Sequence, residues 1–204
     1  MKIWMQGALA VAVAAAQCGA AAQKQTDVAL SGYATFTSSS SGNGTQQTPQ
    51  NSVGGLFELR RIVNPLVGFE LSYSLNPANQ SYSPKTGACG YVCGTSPLKI
   101  DGKANEVAVN WVLSVSKGNI RPFALGGVGL MITVPGSSTY SVTTFGRPVF
   151  VYGAGADLGL TKRLGVRLQV RGNMTKAPGL STVYPATTAY TQIYEPMGGV
   201  YYRF

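Results

Sequence analysis

The sequence predicts an all-β chain, folded as an eight-stranded antiparallel up-and-down transmembrane β-barrel. Three observations predict it. Eight segments alternate apolar and polar residues with a period of two, which is the period of a strand and not of a helix. Long and short connections between them alternate strictly. Six of the seven acidic residues (Asp27, Glu58, Glu70, Glu106, Asp157 and Glu195) fall on the polar face of a segment, with only Asp101 in a loop.

Composition agrees with an all-β chain. Charged residues make up 11% of the 204, against 26 glycines and 11 tyrosines, a balance poor in helix formers and rich in strand and turn formers. The absence of histidine removes the commonest general base and the commonest metal ligand together. At the start, Lys2, the apolar run Ala8–Ala16 and Ala20-Ala21-Ala22 read as a signal peptide over 1–22, leaving a barrel domain over 23–204. The run is too short to cross a bilayer as a helix, and no later apolar stretch is long enough either. Cys18 offers a lipoprotein alternative, weakened by the large Gln17 before it. Cleavage removes Lys2 and no acid, lowering the net charge from +9 to +8. In an exported chain that excess fits anionic lipid or cell-wall polymer better than nucleic acid, and simple solubility equally well.

The first strand covers about Asp27–Thr37, where Val28, Leu30, Ala34 and Phe36 alternate with Asp27, Ser31, Tyr33 and Thr35. Ser38–Ser52 is a polar loop by composition. The second strand covers about Val53–Val63, with Phe57 and Leu59 facing away from Glu58 and Arg60. Asn64-Pro65 is a tight turn. The third, about Leu66–Leu75, sets Val67, Phe69, Leu71 and Tyr73 against Gly68, Glu70, Ser72 and Ser74. A second long loop, about Asn76–Lys103, is rich in Pro, Gly and Ser.

The fourth strand covers about Ala104–Ser116. Val107, Val109, Trp111, Leu113 and Val115 share a face, and Val112 is an apolar exception on the other. After Lys117-Gly118-Asn119 the fifth covers about Ile120–Val134, with glycine and apolar residues on both faces and so no clear facing. A third loop, Pro135–Gly146, leads to a hairpin within Val149–Asn173. Phe150, Tyr152, Ala154, Ala156 and Leu158 alternate with Gly153, Gly155, Asp157 and Gly159 in one arm; Val166, Leu168 and Val170 alternate with Arg167, Gln169 and Arg171 in the other. A fourth loop covers Met174–Tyr190. In the eighth strand, about Thr191–Phe204, Tyr194, Val200, Tyr202 and Phe204 oppose Glu195, Met197, Tyr201 and Arg203. Pro196 cannot donate to a ladder, so an irregularity is expected there.

Short turns at one end and long loops at the other suit an outer-membrane barrel. A sheet in lipid must close, because lipid cannot satisfy an open edge. The apolar face then meets lipid, and acids and arginines point inward, with Gly68, Gly153, Gly155, Gly159 and Gly199 leaving room for the arginines. The alternative is a soluble barrel or sandwich of opposite polarity. Acids alternating into strands suit a paired interior better than a solvent face. Aromatics near strand ends (Phe36, Phe57, Tyr73, Phe150, Tyr194, Tyr202) suit interfacial girdles.

The segments R-P-F-A-L-G-G-V-G (Arg121–Gly129), G-A-G-A-D-L-G-L-T-K-R-L-G-V-R-L-Q-V-R (Gly153–Arg171) and G-V-Y-Y-R-F (Gly199–Phe204) resemble the small outer-membrane β-barrel family of Gram-negative bacteria, with OmpA- and OmpX-like transmembrane domains. The resemblance is architectural and runs along the whole mature chain. It implies an outer-membrane location, contact with outer-membrane lipid and lipopolysaccharide, and a last strand read by the barrel-insertion machinery through Val200, Tyr202 and Phe204. No peptidoglycan-binding domain is expected after Phe204.

Glu58, Arg60, Glu70, Asp157, Arg167, Arg171, Glu195 and Arg203 form the expected lumen charge network, either a paired plug or a narrow polar path. Cys89 and Cys93 fit a loop disulfide in an exported chain, with free thiols or a metal site as alternatives. No cofactor and no metal are expected. No enzyme is expected either: barrel lipases and proteases of this family rely on histidine, leaving only a formal carboxylate pair. The expected role is structural or surface-interactive, with loops presented outward to an unidentified partner. The alternatives are a narrow channel for small solutes and a secreted soluble binding protein.

Overall fold

A computed structural model describes residues 25–84, 98–136, 144–177, 179 and 189–204. Twelve strands follow in order among them: β1 (Gln25–Thr37), β2 (Ser40–Gly42), β3 (Thr45–Pro49), β4 (Ser52–Ile62), β5 (Val67–Pro77), β6 (Gln80–Pro84), β7 (Leu98–Ile100), β8 (Gly102–Ser114), β9 (Ile120–Pro135), β10 (Phe145–Gly159), β11 (Leu164–Lys176) and β12 (Tyr190–Arg203). The eight long ones close a barrel in the order β1-β12-β11-β10-β9-β8-β5-β4, every neighbouring pair antiparallel. At 11 to 16 residues each, they reach or exceed the roughly 9–11 residues that a tilted strand needs to cross a bilayer.

The polarity of the wall is that of a membrane barrel. Leu30, Trp111 and Leu168 are 64%, 55% and 51% exposed, while Arg60 and Arg167 are 0% exposed. A soluble barrel reverses this. Outward aromatics form two belts. Phe36, Tyr73, Phe150, Tyr190 and Tyr194 lie toward the long-loop end; Phe69, Trp111, Tyr202 and Phe204 lie toward the short-turn end. Phe57 and Tyr73, both read from sequence as girdle residues, are direct cross-strand partners near the middle of β4 and β5, so Tyr73 marks only the inner edge of its belt.

Short turns are held by local chemistry. The Asn64 Oδ1 accepts from the backbone N–H groups of Leu66 and Val67, at 3.1 and 2.8 Å, an Asx turn that reverses β4 into β5. Thr161 Oγ1 does the same for Arg163 and Leu164 at 3.2 and 2.9 Å. Gly118 takes φ +62° between β8 and β9, a left-handed conformation that glycine adopts without steric cost.

Two expectations are corrected and one open facing is resolved. The first two long loops are not structureless: they contain β2, β3, β6 and β7, which form a four-stranded sheet in the order β2-β3-β6-β7. Its ladders prolong the barrel wall. Ser40↔Gln47 continues the register of Gln25↔Ile62, and Gln80↔Ile100 continues that of Val67↔Leu113. Only β3–β6 is offset, by one residue, from β4–β5. Asn43 (φ 51°) and Gly44 (φ 74°) make the two-residue turn between β2 and β3.

Secondly, the ambiguous fifth strand, β9, turns its odd-numbered residues inward, including the buried Phe123 and Leu125, which join Val112, Val149 and Val151 in an apolar cluster. Val112 is therefore one side of a small inward core. Thirdly, the inward glycines do not simply leave space for arginines. A Cβ on Gly155 meets Leu168 O at 2.4 Å, Gln169 Cβ at 2.5 Å and the Phe123 ring at 2.8 Å, so this glycine makes way for the neighbouring strand and for Phe123. Elsewhere tyrosine rings cover cross-strand glycines: Tyr33 over Gly54, Tyr152 over Gly172 and Tyr201 over Gly165. At Pro196, the β1–β12 pairing lapses between Tyr33↔Met197 and Phe36↔Tyr194, while the β11 side stays paired at Val170↔Pro196.

A closed barrel resists detergent. Unboiled protein, folded into detergent micelles, is expected to migrate at a different position from boiled protein on the same gel and to resist protease within the eight barrel strands. Coincident bands from detergent-free soluble protein would show the polarity to be inverted.

Candidate functional site

The alternation that sends apolar residues to lipid leaves the other half of each strand inside, where water is scarce and a charge must be paired. Three arginines answer this on the lumen side. Arg60 on β4 donates from Nε and Nη2 to Glu70 Oε2 on β5, at 2.9 and 2.5 Å. Its Nη1 reaches Asp157 Oδ2 on β10 at 3.4 Å. In the ring order β10 lies four strands from β4 in either direction, so this bond crosses the full lumen.

Arg167 on β11 is the hub. Nε donates to Asp157 Oδ1 at 2.7 Å and Nη2 to Asp157 Oδ2 at 3.2 Å, a bidentate pair. Nη2 also reaches Asp27 Oδ1 on β1 at 2.7 Å, and Nη1 reaches Glu58 Oε2 on β4 at 3.4 Å. Higher up, Arg171 donates to Glu106 on β8 and, at 3.3 Å, to Ser72 Oγ on the opposite strand β5. Amides fill remaining acceptor sites: Gln169 Nε2 donates to Glu58 Oε1 at 2.9 Å, and Asn110 Nδ2 to Glu70 Oε1 at 3.0 Å. Phe123 supplies a ring face to the same cluster, with the Arg60 guanidinium 4.1 Å and that of Arg167 5.6 Å from its centroid.

Six of the eight network residues read from sequence are thus brought into contact: Glu58, Arg60, Glu70, Asp157, Arg167 and Arg171. Two stand apart. Glu195 is buried opposite Arg171 across the β11–β12 ladder, outside the ion pairs found among the described residues. Arg203 lies at the short-turn mouth, over the Tyr201 ring at 5.4 Å. Asp27, Glu106, Gln169, Asn110 and Phe123 join the network although sequence reasoning did not place them in it. The acids carried a usable signal, since both alternate onto the polar face; Phe123 carried none.

Val200, Tyr202 and Phe204 face outward, with Tyr202 and Phe204 in edge-to-face contact at 5.1 Å. Cys89 and Cys93, like residues 1–22, lie outside the described residues. Among the described residues, no group of three or more acidic or cysteine side chains is arranged to hold a metal ion. The carboxylates of the network are bound by guanidinium groups, an arrangement that fixes walls to one another.

The outer membrane protein beta-barrel domain model matches residues 7–196. Neisserial surface protein A superposes with a TM-score of 0.60 over 88% of this chain and 97% of its own, at 14% identity. OprG from Pseudomonas aeruginosa gives 0.55 over 88% and 95%, at 15% identity. Ail, the attachment invasion locus protein of Yersinia pestis, in complex with the heparin analogue sucrose octasulfate, gives 0.52 over 89% and 99%, at 14% identity. At such identities these structures share the fold. No curated protein sequence matches the chain.

Removing the hub leaves three buried carboxylates short of a partner. Arg167→Met is expected to lose about 3–5 kcal/mol of folding stability, read as a lower urea midpoint in lipid vesicles. Arg163→Met, on the exposed turn, is expected to stay within about 0.5 kcal/mol of the parent. An unchanged midpoint for Arg167→Met would show that the network contributes nothing to stability.

Proposed function

The chain belongs to the outer-membrane protein β-barrel family, and from that premise we propose a structural and surface-interaction role: a sealed barrel that holds its loops at the cell surface. The chain is an outer-membrane protein. The observation that carries the reading is the Arg60–Asp157 bond. Together with Arg167 to Glu58 at the same level and Arg171 to Ser72 further up, it spans the lumen with side chains that are almost fully buried. A conducting path needs water and mobile charge along its length. Here the charges are used to tie opposite walls, and eight strands enclose only enough room for side chains.

The outward sheet supports the same reading. The side of the wall built from β1, β4, β5 and β8 continues past the rim as β2, β3, β6 and β7. Tyr82 and Ile100 are buried within it, with Leu98 packed against them. Gln47 Nε2 donates to Gln80 Oε1 at 3.1 Å across its central ladder. A projecting, internally packed sheet is a pre-ordered surface, so a partner binding it has less ordering entropy to overcome. Ail, a barrel of the same fold, is seen with a heparin analogue, the sort of external contact this role assigns to the projecting end. A last strand presenting Val200, Tyr202 and Phe204 outward suits recognition by the barrel-insertion machinery, and an oxidised Cys89–Cys93 pair suits an exported loop.

Planar-bilayer recordings test the seal. The parent protein is expected to give no discrete conductance steps. Arg60→Ala, which removes the cation from Glu70 and opens the cross-lumen bond to Asp157, is expected to give small, cation-preferring ones. Regular steps from the parent would replace this reading with a channel.

A further inference from the structure

Below the ion-pair network, at the short-turn mouth, lies a cavity of about 220 Å³ lined by Arg121, Arg203, Lys162, Asn119, Thr161 and Tyr201, with Asp157 at its inner end. The register makes its charges unusual. Arg121 stands across the β9–β10 ladder from Asp157, and Arg203 across the β1–β12 ladder from Asp27. Neither closes an ion pair with that neighbour or with any other carboxylate among the described residues. Both acids are engaged by other arginines: Asp157 accepts from Arg60 and Arg167, and Asp27 from Arg167. Arg121 instead donates from Nη2 to the neutral Gln25 Oε1 at 2.6 Å, leaving Nη1 buried and without a partner. Arg203 rests on the Tyr201 ring with its Nε likewise buried and unpartnered. Lys162, on the turn after β10, adds a third cation at the rim.

We propose that this mouth is an anion site for a phosphate-class oxyanion. Two guanidinium groups with unused buried donors give the planar, multi-point hydrogen bonding that suits phosphate oxygens. The carboxylate at the inner end is neutralised by Arg60 and Arg167, so the three lining cations favour a divalent ion over a monovalent one. The cavity opens at the end with the short turns, which is the periplasmic end of such barrels. Its ligand is therefore drawn from the periplasmic side, as free phosphate or as the terminal phosphate of a lipid of the inner leaflet.

The test uses full-length protein refolded in a maltoside detergent, which carries no phosphate. Inorganic phosphate is titrated while 31P line width is followed, and short-chain phosphatidic acid is titrated in parallel. Saturable broadening is expected, weakened at least about tenfold by Arg121→Gln and again by Arg203→Gln. Lys162→Gln, exposed on its turn, gives a smaller loss and cannot disturb the wall. Each variant is first shown to keep the heat-modifiable band of the parent. Saturation by inorganic phosphate identifies free phosphate as the source; saturation by phosphatidic acid alone identifies the lipid. Absence of saturation with both probes, or equal affinity in the parent and the double variant, overturns the site.

Discussion

A sheet immersed in hydrocarbon has no water to satisfy its edges, and every other feature of this protein follows from meeting that demand. The demand is met where β1 pairs with β4 on one side and with β12 on the other. With the edges joined, the strand period sorts residues into lipid and lumen faces without exception across the bilayer. Closure at only eight strands then fixes the next problem, a lumen too narrow for bulk water. Polar side chains there must find partners among themselves. The weak place in the closing ladder is Pro196, which lacks the N–H that a strand neighbour needs. The pairing to β1 lapses beside it and resumes at Phe36↔Tyr194 without a change of register, so the seam stays shut.

The lumen solves its problem by crossing it. An arginine has five donors in a planar fork, enough to hold two or three carboxylates at once. Arg167 does this for Asp157, Asp27 and Glu58, which stand on three different strands. A buried ion pair gains little over an apolar pair of equal volume, but a buried ion without its partner is costly. The network is thus best understood as a lock on shape: a barrel that slipped one residue at any ladder would turn these charges to lipid. Phe123 fits the same logic. It gives two guanidinium groups a ring face where no further carboxylate is placed, and Gly155 opposite it has no side chain to obstruct the ring.

The number of barrel strands, the facing of seven of them, the short turns and the alternation of charges onto the inner face were legible in the sequence, because each depends on a period of two or on a turn residue. Partner choice was not. Whether Arg60 meets Glu70 or Asp157 depends on barrel stagger, which no local pattern records. Facing of β9 was not legible either, since Phe123 and Leu125 point inward for tertiary reasons against a background of glycine and apolar residues on both faces. The projecting sheet could have been found. Asn43-Gly44 is the dipeptide that a two-residue hairpin turn favours, and it lies in the segment read as a featureless polar loop.

The two ends of the barrel differ in what the wall leaves uncommitted. Acidic residues are drawn into the lumen, where the three network arginines hold five of them. The described cations of the short-turn end stand outside those ion pairs. At the short-turn end Arg61, Lys117, Lys162 and Arg163 are exposed, and Arg121 and Arg203 line the mouth. Lys99, Lys103, Arg147 and Lys176 lie toward the long-loop end, so the positive excess of the chain is shared by both ends. At the long-loop end four short strands carry the wall outward as a surface of serine, threonine and glutamine. The two ends therefore present different chemistry, cations at the short-turn mouth and a hydrogen-bonding sheet at the long-loop end. Between them the arginine network ties opposite walls of the lumen together, so the two ends can differ in sequence without altering the barrel that separates them.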